Sequence, residues 1–224
     1  MSDYQTFRVV YEICSAILCF ILVRFMIKPY SYTKESRYIG LPLAFALLGA
    51  SYLFSAITYD LPCFFPDNFL WFQLVLRTFA FAFLAATYFS ANLSKVSQLL
   101  RNVTFSLISV AVLTSVVIVI FLPQISYANY LAASEYVRIF IIICLIYIII
   151  RVLRSHMAKP DPTTLMTPLG YILLAIGQYS LIIYADDGSM LAWWGALALR
   201  WGGLAIFLYV AYVTFYGARK KGQK

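Results

Sequence analysis

The chain has 224 residues, of which 63% are hydrophobic and 12% are charged, and its mean hydropathy is +0.84. Soluble domains are about half apolar and a quarter charged, so this composition excludes a soluble globular domain and indicates a membrane protein in contact with the lipid bilayer. The net charge of +8 does not indicate a nucleic-acid partner, because the basic residues lie in short segments between apolar runs rather than on one soluble face.

Seven apolar runs are each long enough to cross a bilayer, which takes roughly 20 residues. In chain order they cover residues 7–28, 40–58, 69–91, 103–122, 137–153, 165–185 and 191–216. The segments between them leave no room for a soluble domain, and the N-terminus lacks the pattern of a cleaved signal peptide. We therefore predict one all-α transmembrane domain over residues 1–224, with the first helix retained.

Basic residues alternate from one side of the predicted membrane domain to the other. Lys and Arg concentrate in and beside the first, third and fifth connecting segments and in the C-terminal tail 217–224, whereas most acidic residues lie on the opposite side. Because Lys and Arg resist translocation, this pattern predicts a multi-pass protein of the cell membrane with its N-terminus outside and its C-terminus in the cytoplasm.

Three consecutive spans recur later in the chain at nearly constant offsets. "LCFILVR" matches "LIYIIIR" at an offset of 127 residues, "LPLAFALL" matches "TPLGYILL" at 126, and "WFQLVLR" matches "WGALALR" at 123. The matched Pro, Trp and Arg residues carry this comparison, because Leu and Ile coincide by chance in apolar helices. We predict two parallel three-helix repeats, 7–91 and 137–216, joined by a linker helix at 103–122.

Two arginines occupy matching positions inside apolar spans. At ~1.5 Å per residue, Arg77 and Arg200 lie about 12 and 14 Å from the outer ends of their spans, near the membrane midplane. An arginine there costs at least ~2.5–3.5 kcal/mol, so each is expected to face the bundle and to have a partner. Glu12, about 8 Å deep, is the only acidic residue within a span. Further candidate partners for the arginines are the neutral Tyr52, Tyr88, Gln178 and Tyr179, and the acidic Asp60 and Asp186 at the outer ends of the second and sixth spans.

These residues have a structural and a functional interpretation. Arg77, Arg200 and Glu12 either brace the helices against one another or line a cavity, open to the outside, that receives a small anionic or carboxylate-bearing solute. Four other residues are structural candidates: prolines are tolerated in the first turn of a helix, and tryptophans favour the membrane interface. These four are Pro42, Pro168, Trp71 and Trp194.

The sequence contains no signature of catalysis or of a metal site. The four cysteines form no CxxC pair, the single histidine lies in a loop, and no HExxH motif or pair of aspartates within a span is present. We therefore predict a non-enzymatic protein without catalytic residues, metal or cofactor.

Seven spans in a 3+1+3 arrangement resemble two groups of membrane proteins. The SWEET sugar transporters carry paired prolines at the cytoplasmic ends of repeat helices, and Pro42 and Pro168 are similar to these, although the Pro-Gln pair at residues 123–124 is not repeated. The microbial rhodopsins bind retinal through a lysine of the last helix, and here that span contains no lysine. The resemblance implies architecture alone, and a retinal Schiff base is excluded.

Three functions remain open from the sequence. The chain binds or transports a small solute between the repeats, senses a signal and passes it to a cytoplasmic partner protein, or serves as an accessory subunit of a membrane complex. We favour binding or transport of a small solute. One carboxylate cannot fully match two arginines, and the remaining positive charge suits an anionic ligand.

Overall fold

A computed structural model of the protein describes residues 3–33, 40–60, 68–90, 127–158 and 162–214, together with six single helical positions between residues 106 and 117. These residues form an all-α structure. Its helices are α1 (Asp3–Thr33), α2 (Gly40–Asp60), α3 (Asn68–Ser90), α4 (Tyr127–Ala158), α5 (Pro162–Asp187) and α6 (Met190–Tyr212). All six are long and apolar enough to cross a membrane. The predicted all-α membrane class is therefore confirmed.

The helix bounds follow most of the predicted spans. The second and third spans agree with α2 and α3 within two residues, and the first, sixth and seventh agree with α1, α5 and α6 within about five. The predicted linker helix at 103–122 lies mostly outside the described residues. The predicted start of the fifth span at residue 137 is wrong, because α4 begins ten residues earlier, at Tyr127. Polar side chains in this first part of α4 made it read as a loop.

The turn between α5 and α6 is short because its residues suit it. Gly188 has a φ of 66°, a left-handed conformation that costs glycine no steric strain, and its N–H donates to the carbonyl of Tyr184 at 3.0 Å. Ser189 caps α6, its hydroxyl accepting the N–H of Ala192. Two adjacent apolar helices are thereby connected as a hairpin.

The six helices form a closed ring. Each packs extensively on its neighbours in the sequence, and α6 packs against α1 to close the ring. The interior is filled mainly by large apolar side chains, including the fully buried Phe45, Phe81 and Tyr171. Many apolar side chains also lie on the outer surface, which is typical of helices that face lipid.

The helices α1 and α6 run parallel. Phe7 contacts Trp194, with ring centroids 4.8 Å apart, and two turns further along both helices Ser15 bonds Trp201 at 3.0 Å. The residue numbers of the contacting pairs rise together, which happens only when two helices point the same way. The first and last helices of the ring therefore begin on the same side of the membrane.

Glycines set the close approach of α5 to α6 and of α1 to α2. A Cβ added at Gly203 would lie 2.9 Å from the carbonyl oxygen of Gly170, and one at Gly49 would lie 3.1 Å from the Cβ of Cys19. Small residues at such points let the backbones of membrane helices pack tightly. Tight packing of these pairs fixes the depth at which the polar residues of neighbouring helices meet.

Candidate functional site

Arg200 and Glu12 form an ion pair inside the bundle. Nη1 of Arg200 donates to Oε1 and Oε2 of Glu12 at 3.0 and 3.1 Å, and the two residues are only 6% and 5% exposed. Arg200 is the eleventh of the 23 residues of α6, so it lies near the middle of the span. Glu12 is the tenth residue of α1, which begins at Asp3, four residues before the predicted span.

Polar and aromatic groups around this pair join α1 to α6. The hydroxyl of Tyr11 donates to the carbonyl of Leu197, and its ring stacks on Trp201 with centroids 5.1 Å apart. Trp201 Nε1 donates to the hydroxyl of Ser15, which itself donates to the Tyr11 carbonyl at 2.9 Å. Each side chain of this small network has at least one hydrogen-bond partner among the residues of α1 and α6. The arrangement is typical of a structural brace and favours that interpretation for Arg200 and Glu12.

Arg77 is held differently from Arg200. Its Nε donates to the hydroxyl of Ser51 on α2 at 3.3 Å, and its guanidinium carbon lies 5.3 Å from the ring centroid of Tyr52. The side chain is half-buried, and among the described residues it has no acidic partner. Glu12 is engaged by Arg200, and Glu135, the acidic residue of α4, is exposed and forms no ion pair with Arg77. Among the described residues, Arg77 therefore carries a positive charge near the middle of α3 without a carboxylate paired to it.

Tyr52 brings the two arginines together. Its ring is 1% exposed, and the guanidinium carbon of Arg200 lies 4.7 Å from its centroid, within cation–π range like that of Arg77. Two guanidiniums on different helices thus contact one aromatic side chain of α2. The four candidates Arg77, Arg200, Glu12 and Tyr52 consequently form one continuous cluster, which we call the arginine cluster.

Three buried polar atoms of the described residues have no hydrogen-bond partner. They are Nε1 of Trp71, Nε2 of Gln73 and Oε1 of Gln178. Gln178 was a sequence candidate and is 5% exposed, and it follows Gly177, whose added Cβ would lie 3.8 Å from the backbone nitrogen of Arg200. Gln178 therefore lies at the depth of the arginine cluster. Unpartnered buried polar atoms are uncommon in native folds and need an explanation.

Tyr88, the remaining ligand candidate, lies away from the arginine cluster. It is eleven residues after Arg77 on α3, which is about 16 Å along the helix axis. Its hydroxyl lies 3.1 Å from the hydroxyl of Tyr171 on α5, and Phe207 of α6 packs against the Tyr171 ring. Tyr88 thus helps to fill the opposite half of the bundle with aromatic side chains.

The four structural candidates behave in different ways. Pro42 is the third residue of α2, as the first-turn prediction requires. The same prediction is wrong for Pro168, which is the seventh residue of α5 and so lies beyond its first turn. Trp71 packs edge-on against Tyr130, whereas Trp194 is 46% exposed at the edge of the bundle.

The sequence reading missed the neutral members of the site. Tyr11, Ser15 and Trp201 complete the brace around Glu12, and Ser51 accepts the hydrogen bond of Arg77. Ser15 is three residues after Glu12 and four after Tyr11, so helical spacing from that carboxylate points to Ser15, and from Ser15 to Tyr11.

Among the described residues, no group of three or more His, Cys, Asp or Glu side chains is placed to hold a metal ion. The absence of a cofactor stays a prediction.

Comparison of the chain with protein-family models, with curated proteins and with solved structures finds no match. The resemblance to SWEET transporters and microbial rhodopsins therefore stays a prediction, and function has to be argued from the site itself.

Proposed function

We propose that this chain is a non-enzymatic, seven-helix membrane protein that binds a small anionic solute at Arg77, between two three-helix units. One observation carries the proposal: Arg77, the tenth of the 23 residues of α3, has no carboxylate paired to it among the described residues, although its counterpart Arg200 has one. A charged side chain in the membrane interior is costly and is by default a mark of function.

The direction of the helices supports seven spans. Trp71 and Tyr130 are each the fourth residue of their helix, α3 and α4, and their ring centroids are 6.1 Å apart. These two helices therefore start on the same side of the membrane. A chain that leaves α3 on one side and begins α4 on the other has to cross the membrane between residues 91 and 126, the stretch that contains the predicted span 103–122. The parallel course of α1 and α6 requires the same additional crossing.

The burial pattern supports two related units of three helices, α1–α3 and α4–α6. All seven buried positions of α5 match buried positions of α2 at the predicted offset of 126 residues. Five of the eight buried positions of α6 match buried positions of α3 at an offset of 123. Four of the six buried positions of α1 match buried positions of α4 at 129 rather than at the predicted 127, which pairs Glu12 with Ile141 instead of Ile139.

The two units differ in the partner of their central arginine. Arg77 and Arg200 occupy equivalent positions, and Glu12 of α1 neutralises Arg200 across the interface between the units. The equivalent residue of α4 is an isoleucine at either offset, and the exposed Glu135 of α4 forms no ion pair with Arg77. The two-unit arrangement thus leaves one of its two central arginines paired and the other available to an anion. We assign the structural interpretation to Arg200 and the functional one to Arg77.

A small anion bound at Arg77 would neutralise the charge of that residue, as Glu12 neutralises the charge of Arg200. Hydrogen bonds between a guanidinium and an anionic oxygen are charge-assisted and roughly twice as strong as neutral ones. Tyr52, which contacts both guanidiniums, would form part of the wall of such a site. The solute is released or carried across the membrane only if the helices around this site move apart.

The experiment measures anion-dependent stabilisation of the purified protein. Thermal unfolding is followed while sodium salts of small anions are added, since a ligand at 100 times its dissociation constant stabilises the folded state by about 2.7 kcal/mol. We expect Arg77→Gln to weaken anion binding by about 10- to 100-fold, the worth of a charged hydrogen bond, and Arg77→Lys to retain part of it. Arg154→Gln removes an exposed positive charge of α4 and is the matched control.

The outcome separates the three functions. Stabilisation lost in Arg77→Gln and kept in Arg154→Gln supports a solute-binding protein, and uptake of the same anion into proteoliposomes then identifies a transporter. If no anion stabilises the wild-type protein, the proposal is wrong. A stoichiometric membrane partner would then favour an accessory subunit, and a cytoplasmic partner bound to the basic loops would favour a sensor.

A further inference from the structure

Gln73 lies one helical turn from Arg77 on the same face of α3. Residues four apart on a helix are neighbours, with about 5–6 Å between their Cβ atoms. Gln73 is 4% exposed, and its amide nitrogen Nε2 is buried without a hydrogen-bond partner. A buried donor left unsatisfied costs about 1–3 kcal/mol, so its presence needs a compensating acceptor.

Gln73 and Arg77 both present hydrogen-bond donors that have no acceptor partner among the described residues. Nε of Arg77 already donates to Ser51, whereas its two terminal nitrogens have no acceptor among the described residues. The terminal nitrogens of a guanidinium form the edge that binds carboxylates with two parallel hydrogen bonds. Gln73 adds a neutral donor next to that edge. The combination is selective for a ligand that offers more than one acceptor atom.

We infer that Gln73 and Arg77 together hold the two oxygens of a carboxylate, so that the solute is a small carboxylic acid anion rather than a monatomic anion such as chloride. This inference rests on the proposed function, since it names the class of anion that Arg77 binds. Chloride presents a single atom to the guanidinium, whereas a carboxylate matches its two terminal nitrogens with two oxygens and keeps lone pairs for the amide of Gln73. A carboxylate divides its negative charge between two oxygens and gives each donor its own acceptor.

The same reasoning explains why the donor at position 73 is an amide. An apolar side chain would provide no donor for the carboxylate lone pairs that the guanidinium leaves free. A carboxylate at this position would pair with Arg77 four residues away and would occupy the guanidinium itself. Gln73 supplies a donor without a charge, which leaves the positive charge of Arg77 to the ligand.

The experiment compares sodium propionate with sodium chloride in thermal unfolding of the full-length protein. We expect Gln73→Leu to lower the affinity for propionate by about tenfold and to change that for chloride by less than twofold, because only propionate uses the amide donor. Without ligand, Gln73→Leu should melt at a higher temperature than wild type, since an unsatisfied buried donor has been removed. A residue that merely supported the fold would change melting in the opposite direction.

Two further variants complete the test. Gln73→Glu should lose propionate binding while staying folded, because the new carboxylate pairs with Arg77. Thr78→Val is the matched control on α3: the Thr78 hydroxyl donates to the Leu74 carbonyl at 2.8 Å and faces no ligand in our proposal, so both affinities should be unchanged.

The results distinguish this inference from the proposed function. If Gln73→Leu leaves the ratio of propionate to chloride affinity unchanged, or melts lower than wild type without ligand, the role of Gln73 is wrong. The proposed function still stands in that case, provided that Arg77→Gln abolishes binding of the anions. If neither anion stabilises the wild-type protein, both proposals are overturned together.

Discussion

The buried ion pair between α1 and α6 allows the sharpest test of how this bundle is held together. Replacing Glu12 with Met keeps the volume of the side chain and removes its charge, which leaves Arg200 buried at 6% exposure without a carboxylate. Replacing Arg200 with Met leaves Glu12 buried without a cationic partner. The double replacement removes both charges and leaves two apolar side chains in contact.

The structure sets the expected size of each effect. Removing one partner of a buried ion pair typically costs 3–5 kcal/mol, because the remaining charge loses its partner and stays in a low-dielectric environment. At about 2–4 °C per kcal/mol for a chain of this size, each single replacement should lower the melting temperature by roughly 6–20 °C. Replacing both partners with apolar residues of similar volume is often neutral, so the double variant should melt near the wild type.

The assay is a double-mutant cycle on purified protein in one detergent, with thermal unfolding of wild type, both single variants and the double variant. Glu135→Gln, which changes an exposed carboxylate on α4, serves as the control and should melt like wild type. The coupling energy between the two sites is expected to be at least about 3 kcal/mol. If the stability losses of the two single variants simply add in the double variant, the reasoning is refuted. Two side chains whose effects are independent do not form an ion pair that holds α1 against α6.

Two further predictions concern packing and orientation. Gly203→Ala should strongly destabilise the α5–α6 pair, because the new Cβ would lie 2.9 Å from the Gly170 carbonyl oxygen, whereas Gly195→Ala meets nothing within 4 Å and should melt at or above the wild-type temperature. With the native cysteines replaced, a membrane-impermeant maleimide added to intact cells should label Asp187→Cys, in the turn predicted to lie outside, and should not label Arg154→Cys; the reverse pattern would contradict the predicted orientation.

The sequence was most informative where charge interrupts an apolar run. Arg77, Arg200 and Glu12 stand out because few charges are tolerated in a span, and the structure brings all three to one depth around Tyr52. Hydrophobic length likewise predicted the described helices to within a few residues, apart from the start of α4. There the helix continues beyond the apolar segment, and length arguments based on hydrophobicity cannot detect such an extension.

The choice of partner could not be predicted from the sequence. One carboxylate and two arginines leave two pairings, and only the packing of α6 against α1 decides that Glu12 meets Arg200. Gln73 and Ser51 escaped notice because neutral polar side chains are common in membrane helices, and their importance depends on which partner each one has. Pro168 was misplaced because the helix extends further toward the N-terminus than its apolar stretch.

The pairing of α1 with α6 also orders the events of biosynthesis. Glu12 enters the bilayer with the first helix, and Arg200 follows 188 residues later in the last one. At the ~5–20 residues per second at which chains are made, the carboxylate waits about ten seconds or more before its partner is synthesised. A chain that ends before α6 therefore keeps the carboxylate of Glu12 without the arginine that pairs with it in the complete bundle.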